Sequence, residues 1–316
     1  MKKITLEEHF SAPEALGYRL AKQFPANYAN DIRARLQDIE AFRLPEMDLY
    51  GIDMQVLSLN APGIQGETDT ATAINKARQV NDSLAELIRK HPTRFSGFAA
   101  LPLQDPKAAA DELERAVTQL GLKGALVNGH TNGEYLDQQK FWGVFERAQG
   151  LGVPIYLHPN DSPREQLKAY DGYPELLGAT WNWGMETATH ALRLVFGGVF
   201  NEFPATTLIL GHMGEMLPYV LARLDERWDA FKPNSKLKKA PSQYIKENML
   251  VTTSGNVSAA SLLCALLTLG AEHILFSVDY PYQSTRDVTH FIETAPISDV
   301  DKEKICYRNV ERVLKL

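Results

Sequence analysis

The sequence of 316 residues predicts an α/β chain folded as one (β/α)8, TIM-like barrel over residues 1–316, with insertions after strands one and five. Three observations carry this expectation. Short apolar, β-branched runs alternate with longer segments of helical periodicity, the pattern of βα units around a parallel sheet. Runs such as Thr207-Leu208-Ile209-Leu210 and Ile274-Leu275-Phe276-Ser277-Val278 are nearly continuous in apolar residues, which suits strands covered on both faces. The first strand-to-helix junction has no glycine-rich phosphate loop, so a doubly wound dinucleotide fold loses its main support.

Taken in order, Ile4–Glu8 is the first strand run, and a connection rich in Pro and aromatic residues follows from Phe10 to Asp31. The strand run Gln55–Leu59 then precedes a helical pattern over Asp69–His91, Ser96–Leu101 precedes Pro106–Leu120, and Gly124–Val127 precedes Gln138–Gly150. Ile155–Leu157 leads into a second long connection, Pro159 to about Thr187, carrying Tyr170, Tyr173, Trp181 and Trp183, and then a helix over Glu186–Phe203. The remaining units pair Thr207–Leu210 with Leu217–Phe231, Leu250–Thr253 with Ser258–Leu269, and Ile274–Val278 with Thr285–Ala295, before a terminal helix over Asp299–Leu316. Both long connections follow a strand, so in a barrel both lie at the mouth where active sites are built, as walls or lids of a pocket.

Composition narrows the functional classes. Hydrophobic residues make up 44% and charged residues 23%, an ordinary globular balance. A net charge of −6 offers no basic stripe for nucleic acid. Met1-Lys2-Lys3 runs at once into the acids of the first strand rather than into a secretory apolar region, and the apolar stretch around Ser261–Leu267 is too short for a bilayer. The expectation is a cytoplasmic protein without a membrane segment, with Cys264 and Cys306 as reduced thiols.

Position carries the strongest signal. A polar residue terminates nearly every strand run: Glu7-Glu8-His9, Asn60, Asn128, His158, His212, Thr253-Ser254 and Asp279. In a barrel these ends converge on one mouth. Glu7 and His9, two apart on a strand, point the same way, leaving Glu8 as an outward structural carboxylate. Asp279 is followed by Tyr280-Pro281, a rigid stop. The imidazoles of His9 and His158 with the carboxylates of Glu7 and Asp279 make a mixed N/O set suited to a divalent ion such as Mn or Zn. Gly211-His212-Met213-Gly214-Glu215 adds a histidine and a carboxylate three apart, read as a pair in which Glu215 orients the ring and sets its charge. His91, His130, His190, His273 and His290 are read as structural or surface residues, with His190 set apart by its place on the helix after the aromatic insertion.

With Leu6-Glu7-Glu8-His9-Phe10, Tyr156-Leu157-His158-Pro159, Leu210-Gly211-His212-Met213-Gly214-Glu215 and Phe276-Ser277-Val278-Asp279-Tyr280-Pro281 all in order, the chain resembles, from end to end, the hydroxybenzoate decarboxylase branch of the amidohydrolase superfamily. The resemblance implies one divalent ion, most often Mn2+ with Zn2+ or Mg2+ as alternatives, on Glu7, His9, His158 and Asp279. It assigns His212 and Glu215 to the catalytic neighbourhood. Arg223 and Asn128 are implied as substrate contacts, Arg223 across a subunit boundary in a homodimer or homotetramer. One departure stands out: where relatives carry an aromatic pair after Thr180-Trp181, this chain reads Asn182-Trp183-Gly184-Met185.

The implied reaction is decarboxylation of a small aromatic carboxylic acid, an ortho-hydroxybenzoate, with 2,6-dihydroxybenzoate ahead of 2,3-dihydroxybenzoate and salicylate. Loss of carbon dioxide directly from the ring would leave an aryl anion, so the catalyst needs either an electron sink or prior protonation of that carbon, and Asp279 is the expected acid for the latter. Two other readings compete. A metal-dependent hydrolase of a small lactone or amide would use Asp279 on a metal-bound water, but Glu7-x-His9 replaces the His-x-His that chemistry favours. A noncatalytic metal-stabilised scaffold would leave so many ionisable groups at one mouth without a use.

Overall fold

A computed structural model describes residues 1–13, 25–231 and 235–316. Its strands are β1 (Ile4–Phe10), β2 (Met54–Leu59), β3 (Phe95–Gly97), β4 (Ala99–Ala100), β5 (Ala125–Asn128), β6 (Ile155–His158), β7 (Leu208–Leu210), β8 (Met249–Thr252) and β9 (Ile274–Leu275). All ladder pairs are parallel, in two runs, β1-β2-β3 and β4 through β9. The expected third strand, Ser96–Leu101, is interrupted at Phe98, whose N–H turns back to the Leu57 carbonyl while Ala99 donates to Gly124. A bridge between Leu6 and Ser277 joins the last strand to the first and closes the barrel.

The helices are α1 (Ala26–Gln37), α2 (Arg43–Tyr50), α3 (Thr70–Lys90), α4 (Pro106–Thr118), α5 (Trp142–Leu151), α6 (Asn182–Gly197), α7 (Val199–Glu202), α8 (Leu217–Phe231), α9 (Pro241–Asn248), α10 (Ala259–Leu269), α11 (Thr285–Thr294), α12 (Asp299–Glu303) and α13 (Asn309–Leu314). Their starts are chemically marked. Asp69 accepts from the Thr72 N–H, and Asp105 accepts from Lys107 and Ala108 with Pro106 in the first turn, caps worth about 1 kcal/mol each. The helix expected over Glu186–Phe203 begins earlier, at Asn182, and breaks at Gly198, whose φ of 86° ends α6. The terminal helix is likewise broken, by a π turn over Lys304–Arg308. Much of the expected first insertion, residues 14–24, lies outside the described residues; α1 begins inside its remainder. The second insertion consists of short 3-10 turns, Gln166–Tyr170, Pro174–Leu176 and Gly178–Thr180.

Strand alternation fills the barrel from one end to the other. Ile4, Leu6, Val56, Phe98, Leu126, Tyr156, Ile209, Leu250 and Leu275 form an inner cluster, closed by Val310 and Leu314 of α13. Burying one such Leu or Ile contributes about 1.5–3 kcal/mol. Because side chains repeat every two residues, the interior positions above these are Ser58, Asn128, His158, Thr252 and Ser277, so the same faces that build the core end in polar groups.

β1 departs from that rule. Thr5 pairs with Gln55 and Glu8 with Leu57, so the strand carries one extra residue between them, and Glu7 takes a left-handed φ of 61°. Without this bulge, alternation from Ile4 and Leu6 would send Glu8 into the barrel and Glu7 and His9 out of it. With it, Glu7 and His9 face the mouth and Glu8 faces the helical layer. Glu8 is thus outward, as expected, but fully buried, accepting from Val278 N–H at 2.9 Å and from Gln55 at 3.3 Å. Burial pushes its carboxyl up to about 8.

Candidate metal centre

Glu7, His9 and His158 meet at the mouth, with one ligating atom of each within 4.8 Å of the others. All three are buried. The Glu7 carboxylate is held from behind: Oε2 accepts from Tyr156, Ser254 and, at 3.2 Å, Thr252. Its Oε1 has no hydrogen-bond partner and lies 3.5 Å from His158 Nε2 and 3.5 Å from His212 Nε2. His9 Nδ1 is 3.3 Å from Ser58 Oγ, which fixes the ring and leaves Nε2, also without a partner, facing inward. The rings of His9 and His158 pack edge to face at 4.7 Å.

Asp279 reaches the same space from the far side of the barrel seam. Its backbone is left-handed, φ 74°, and the following Tyr280-Pro281 bond is cis. Asp279 Oδ1 stands 3.4 Å from His9 Nε2 and Oδ2 stands 3.8 Å from His212 Nε2. His212 is oriented by Glu215, whose Oε1 lies 2.7 Å from Nδ1. The chain between them is unusual: His212, Met213, Gly214, Glu215 and Met216 all have φ between 51° and 74°, a left-handed turn. Each such non-Gly residue costs about 1–2 kcal/mol, so packing must hold the turn. Gly214 allows it, since a Cβ there would stand 2.7 Å from Val251.

The electrostatics follow from crowding four carboxylates and three imidazoles in little water. Burial pushes Glu7 up and His158 well down, the latter with help from His9. For Asp279, burial acts upward but is outweighed by the His212 and His9 rings beside it, so its carboxyl sits below the usual range. For His212, burial acts downward and is outweighed by Glu7 and Glu215, so this ring is held well above its ordinary value. Glu186 of α6 is a residue the sequence reading did not single out: buried, with neither oxygen paired, it is pushed up to about 8 by burial and then by Glu215.

This donor set fits a divalent ion. Glu7 Oε1 and His9 Nε2 are each buried without a hydrogen-bond partner, at a cost of about 1–3 kcal/mol, and a cation meets both. Nitrogen and oxygen donors with two carboxylates are the mixed, fairly hard set that Mn, Zn and related ions accept.

The amidohydrolase family profile matches residues 9–316. The chain belongs to the amidohydrolase family. Its relatives include a gamma-resorcylate decarboxylase from Polaromonas sp. strain JS666, 44% identical over 99% of this chain and 98% of that protein, and one from Rhodococcus jostii strain RHA1 at 44%, with the same coverage. Among solved structures, a dihydroxybenzoic acid decarboxylase from Polaromonas sp. JS666 with bound manganese and the inhibitor 2-nitroresorcinol superposes with a TM-score of 0.94 at 44% identity, covering 100% of this chain and 97% of that one. A 5-carboxyvanillate decarboxylase from Sphingomonas paucimobilis gives 0.91 at 35%, covering 100% and 99%. The eight-stranded parallel closure seen here is thus the amidohydrolase barrel, and its family profile begins at His9, two residues past Glu7.

Other expected residues of this amidohydrolase fall as follows. Asn128 is buried at the end of β5, its Oδ1 unpartnered. Arg223 is exposed on α8 and, among the described residues, makes no hydrogen bond or ion pair. His190 accepts from the Leu136 N–H at 3.0 Å, and burial holds it down to about 3, a neutral structural ring. In the departing stretch, Asn182 is tied to Ser162 and Trp183 to Asp161, and a Cβ on Gly184 would stand 2.9 Å from Glu215 Oε2. That stretch therefore backs Glu215. Tyr156 and Ser58 were legible only as interior positions two residues before the polar ends of their own strand runs, His158 and Asn60, and Arg43 and Glu186 left no signal. Among the described residues no helix is long and apolar enough to cross a membrane.

Proposed function

We propose that this chain is a metal-dependent carboxy-lyase that removes the carboxyl group of an ortho-hydroxybenzoate, 2,6-dihydroxybenzoate first, giving resorcinol and carbon dioxide reversibly. The observation that carries the reading is the buried Glu7–His9–His158 cluster facing Asp279 and the His212–Glu215 pair, in a chain 44% identical to gamma-resorcylate decarboxylases over nearly its whole length. Glu7, His9, His158 and Asp279 hold the ion, Mn2+ ahead of Zn2+ or Mg2+. When bound there, a divalent cation supplies positive charge that orients a carboxylate and its ortho oxygen and acidifies the phenol.

The chain's own groups move the proton. Asp279 delivers it to the ring carbon that bears the carboxyl group; the carbon–carbon bond then breaks, its electron pair returns to the ring and carbon dioxide leaves. His212, which holds the proton at rest, stands 3.8 Å from Asp279 with Glu215 fixing its orientation, and Asp279 carries the proton only in passage to the ring carbon. Asn128 offers an unpartnered amide oxygen to a substrate hydroxyl. Arg223 completes the pocket of a neighbouring copy in a homodimer or homotetramer, which accounts for an unpaired guanidinium one helical turn from Tyr219, 82% exposed. We place the whole activity in one barrel domain, residues 1–316, and in the cytoplasm, where thiols such as Cys264 and Cys306 stay unbridged.

The test is a panel of hydroxybenzoates given to manganese-loaded protein in deuterated water. An ortho-hydroxylated member should release carbon dioxide, and the phenolic product should carry one solvent deuterium at the vacated carbon. Chelation should stop turnover and manganese restore it. Cleavage of lactones or amides with the benzoates untouched would assign a hydrolase instead, and no turnover of either class a scaffold.

A further inference from the structure

His9 and Asp279 approach from opposite sides of the barrel seam, and the seam has little backbone to hold it. β1 pairs with β2 through Ile4, Thr5, Glu8, His9 and Phe10, but with the segment that continues β9 through one isolated bridge, Leu6 to Ser277. That bridge carries the bond from Leu6 N–H to Phe276 O at 3.2 Å, and one further backbone bond crosses the seam, His9 N–H to Tyr280 O at 2.8 Å. Something other than a ladder must set the span between the two ligand groups.

Arg43 lies behind that span. It is fully buried on α2, with Nη2 donating to the His9 carbonyl, Nη1 donating to Gln55 Oε1 at 3.0 Å, and the guanidinium over the Tyr280 ring at 4.2 Å. Gln55 passes the link on: its Nε2 donates to Glu8 Oε2 at 3.3 Å, and Glu8 Oε1 accepts from Val278 N–H at 2.9 Å. One guanidinium therefore touches the residue that is one ligand, His9, and the residue next to the other, Asp279. A third nitrogen, Nε, is buried without a partner. Core filling does not account for this. A buried guanidinium is costly to desolvate. What Met or Leu cannot do is bond a carbonyl on one strand while stacking on a ring of another, the planar, multidonor role peculiar to Arg.

We propose that Arg43 is a positioning residue for the catalytic centre, clamping His9 and the Asp279-Tyr280 turn at a fixed separation across the seam. The proposal rests on the reading of His9 and Asp279 as ligands of one divalent ion. Arg43 touches neither the ion nor the substrate, so its effect passes through the spacing of the ligands.

The experiment compares wild type with Arg43→Met, Arg43→Lys and Gln55→Leu as full-length proteins. Manganese affinity is read from the free-ion electron paramagnetic resonance signal, metal-free thermal stability by circular dichroism, and kcat and KM at saturating manganese. Wild type should bind manganese at one site; failure of that control would count against the ligand assignment, not against the clamp alone. Given that control, Arg43→Met should bind manganese about tenfold or more weakly, the size usual for groups that orient ligands, and lose kcat more than KM in protein that its metal-free melt shows to be folded at the assay temperature. Arg43→Lys, which keeps a donor but not the fork, should fall between. Arg43→Met with wild-type manganese affinity and kcat overturns the proposal whatever its melting point. If Arg43→Met does not fold, Gln55→Leu carries the same test in the same direction, and wild-type affinity and kcat there overturn it equally.

Discussion

Gly211 sits between β7 and His212, and its lack of a side chain makes room for Glu7. A Cβ at this position would stand 2.8 Å from Glu7 Oε1, 2.9 Å from Oε2 and 3.2 Å from Cδ. The backbone itself would accept alanine, with φ −67° and ψ −179°. The carboxylate cannot simply swing aside, because Tyr156, Ser254 and Thr252 fix its far oxygen. To reach an ordinary contact of 3.4 Å it must retreat by about 0.6 Å, beyond the roughly 0.5 Å within which working sites hold their groups. Gly211→Ala should therefore weaken manganese binding by about 10–100-fold. It should also lower kcat by on the order of 10–100-fold, or about 1.4–2.7 kcal/mol in barrier. Stability should change less. Overpacking costs about 1–3 kcal/mol, and the stiffer unfolded chain offsets about 0.4–1 kcal/mol of it. Manganese titration, steady-state decarboxylation and thermal melts measure the three quantities. Gly150→Ala, on α5 with nothing within 4 Å of the added carbon, is the control and should leave activity alone. A folded Gly211→Ala protein with wild-type metal affinity and kcat would refute the reasoning.

Three further outcomes are expected. Glu215→Gln keeps the shape beside His212 Nδ1 but removes the carboxylate, so kcat should fall about tenfold or more with manganese affinity little changed; an equal loss of affinity would make Glu215 part of the metal set instead. Glu186, pushed up to about 8, favours the fold in its neutral form, so the stability it contributes is fully present below the ordinary value of 4.5 and is lost as pH rises through about 8. Across that window, denaturant melts should show wild type losing a few kcal/mol relative to Glu186→Gln, and parallel pH profiles would sink the assignment. Arg223→Ala should raise KM or lower kcat without lowering the melting point; a silent substitution in a protein that light scattering finds monomeric at assay concentration would remove Arg223 from the pocket.

What the sequence determined by itself is the part governed by local chemistry and by short periods. Alternation of apolar runs with helical segments gave the parallel barrel, because each run must be covered on both faces. Period-two placement put Asn128, His158 and Asp279 on interior faces, and Gly211 through Glu215 marked a turn that delivers a His–Glu pair. Tertiary structure decided the rest. Glu7 and His9 enter the site only because a bulge adds a residue to β1, and no local pattern in Ile4–Phe10 announces it. The extra residue is tolerated because Tyr156, Thr252 and Ser254, far along the chain, hold the Glu7 carboxylate in its left-handed position. Arg43 reads in sequence as an ordinary surface cation of an amphipathic helix, and Glu186 as an ordinary helical acid. Their burial is a consequence of where α2 and α6 pack, which depends on the whole ring of strands. Short-range rules specify which residues share a face; the span between two ligands on strands that begin and end the chain is fixed only when the barrel closes.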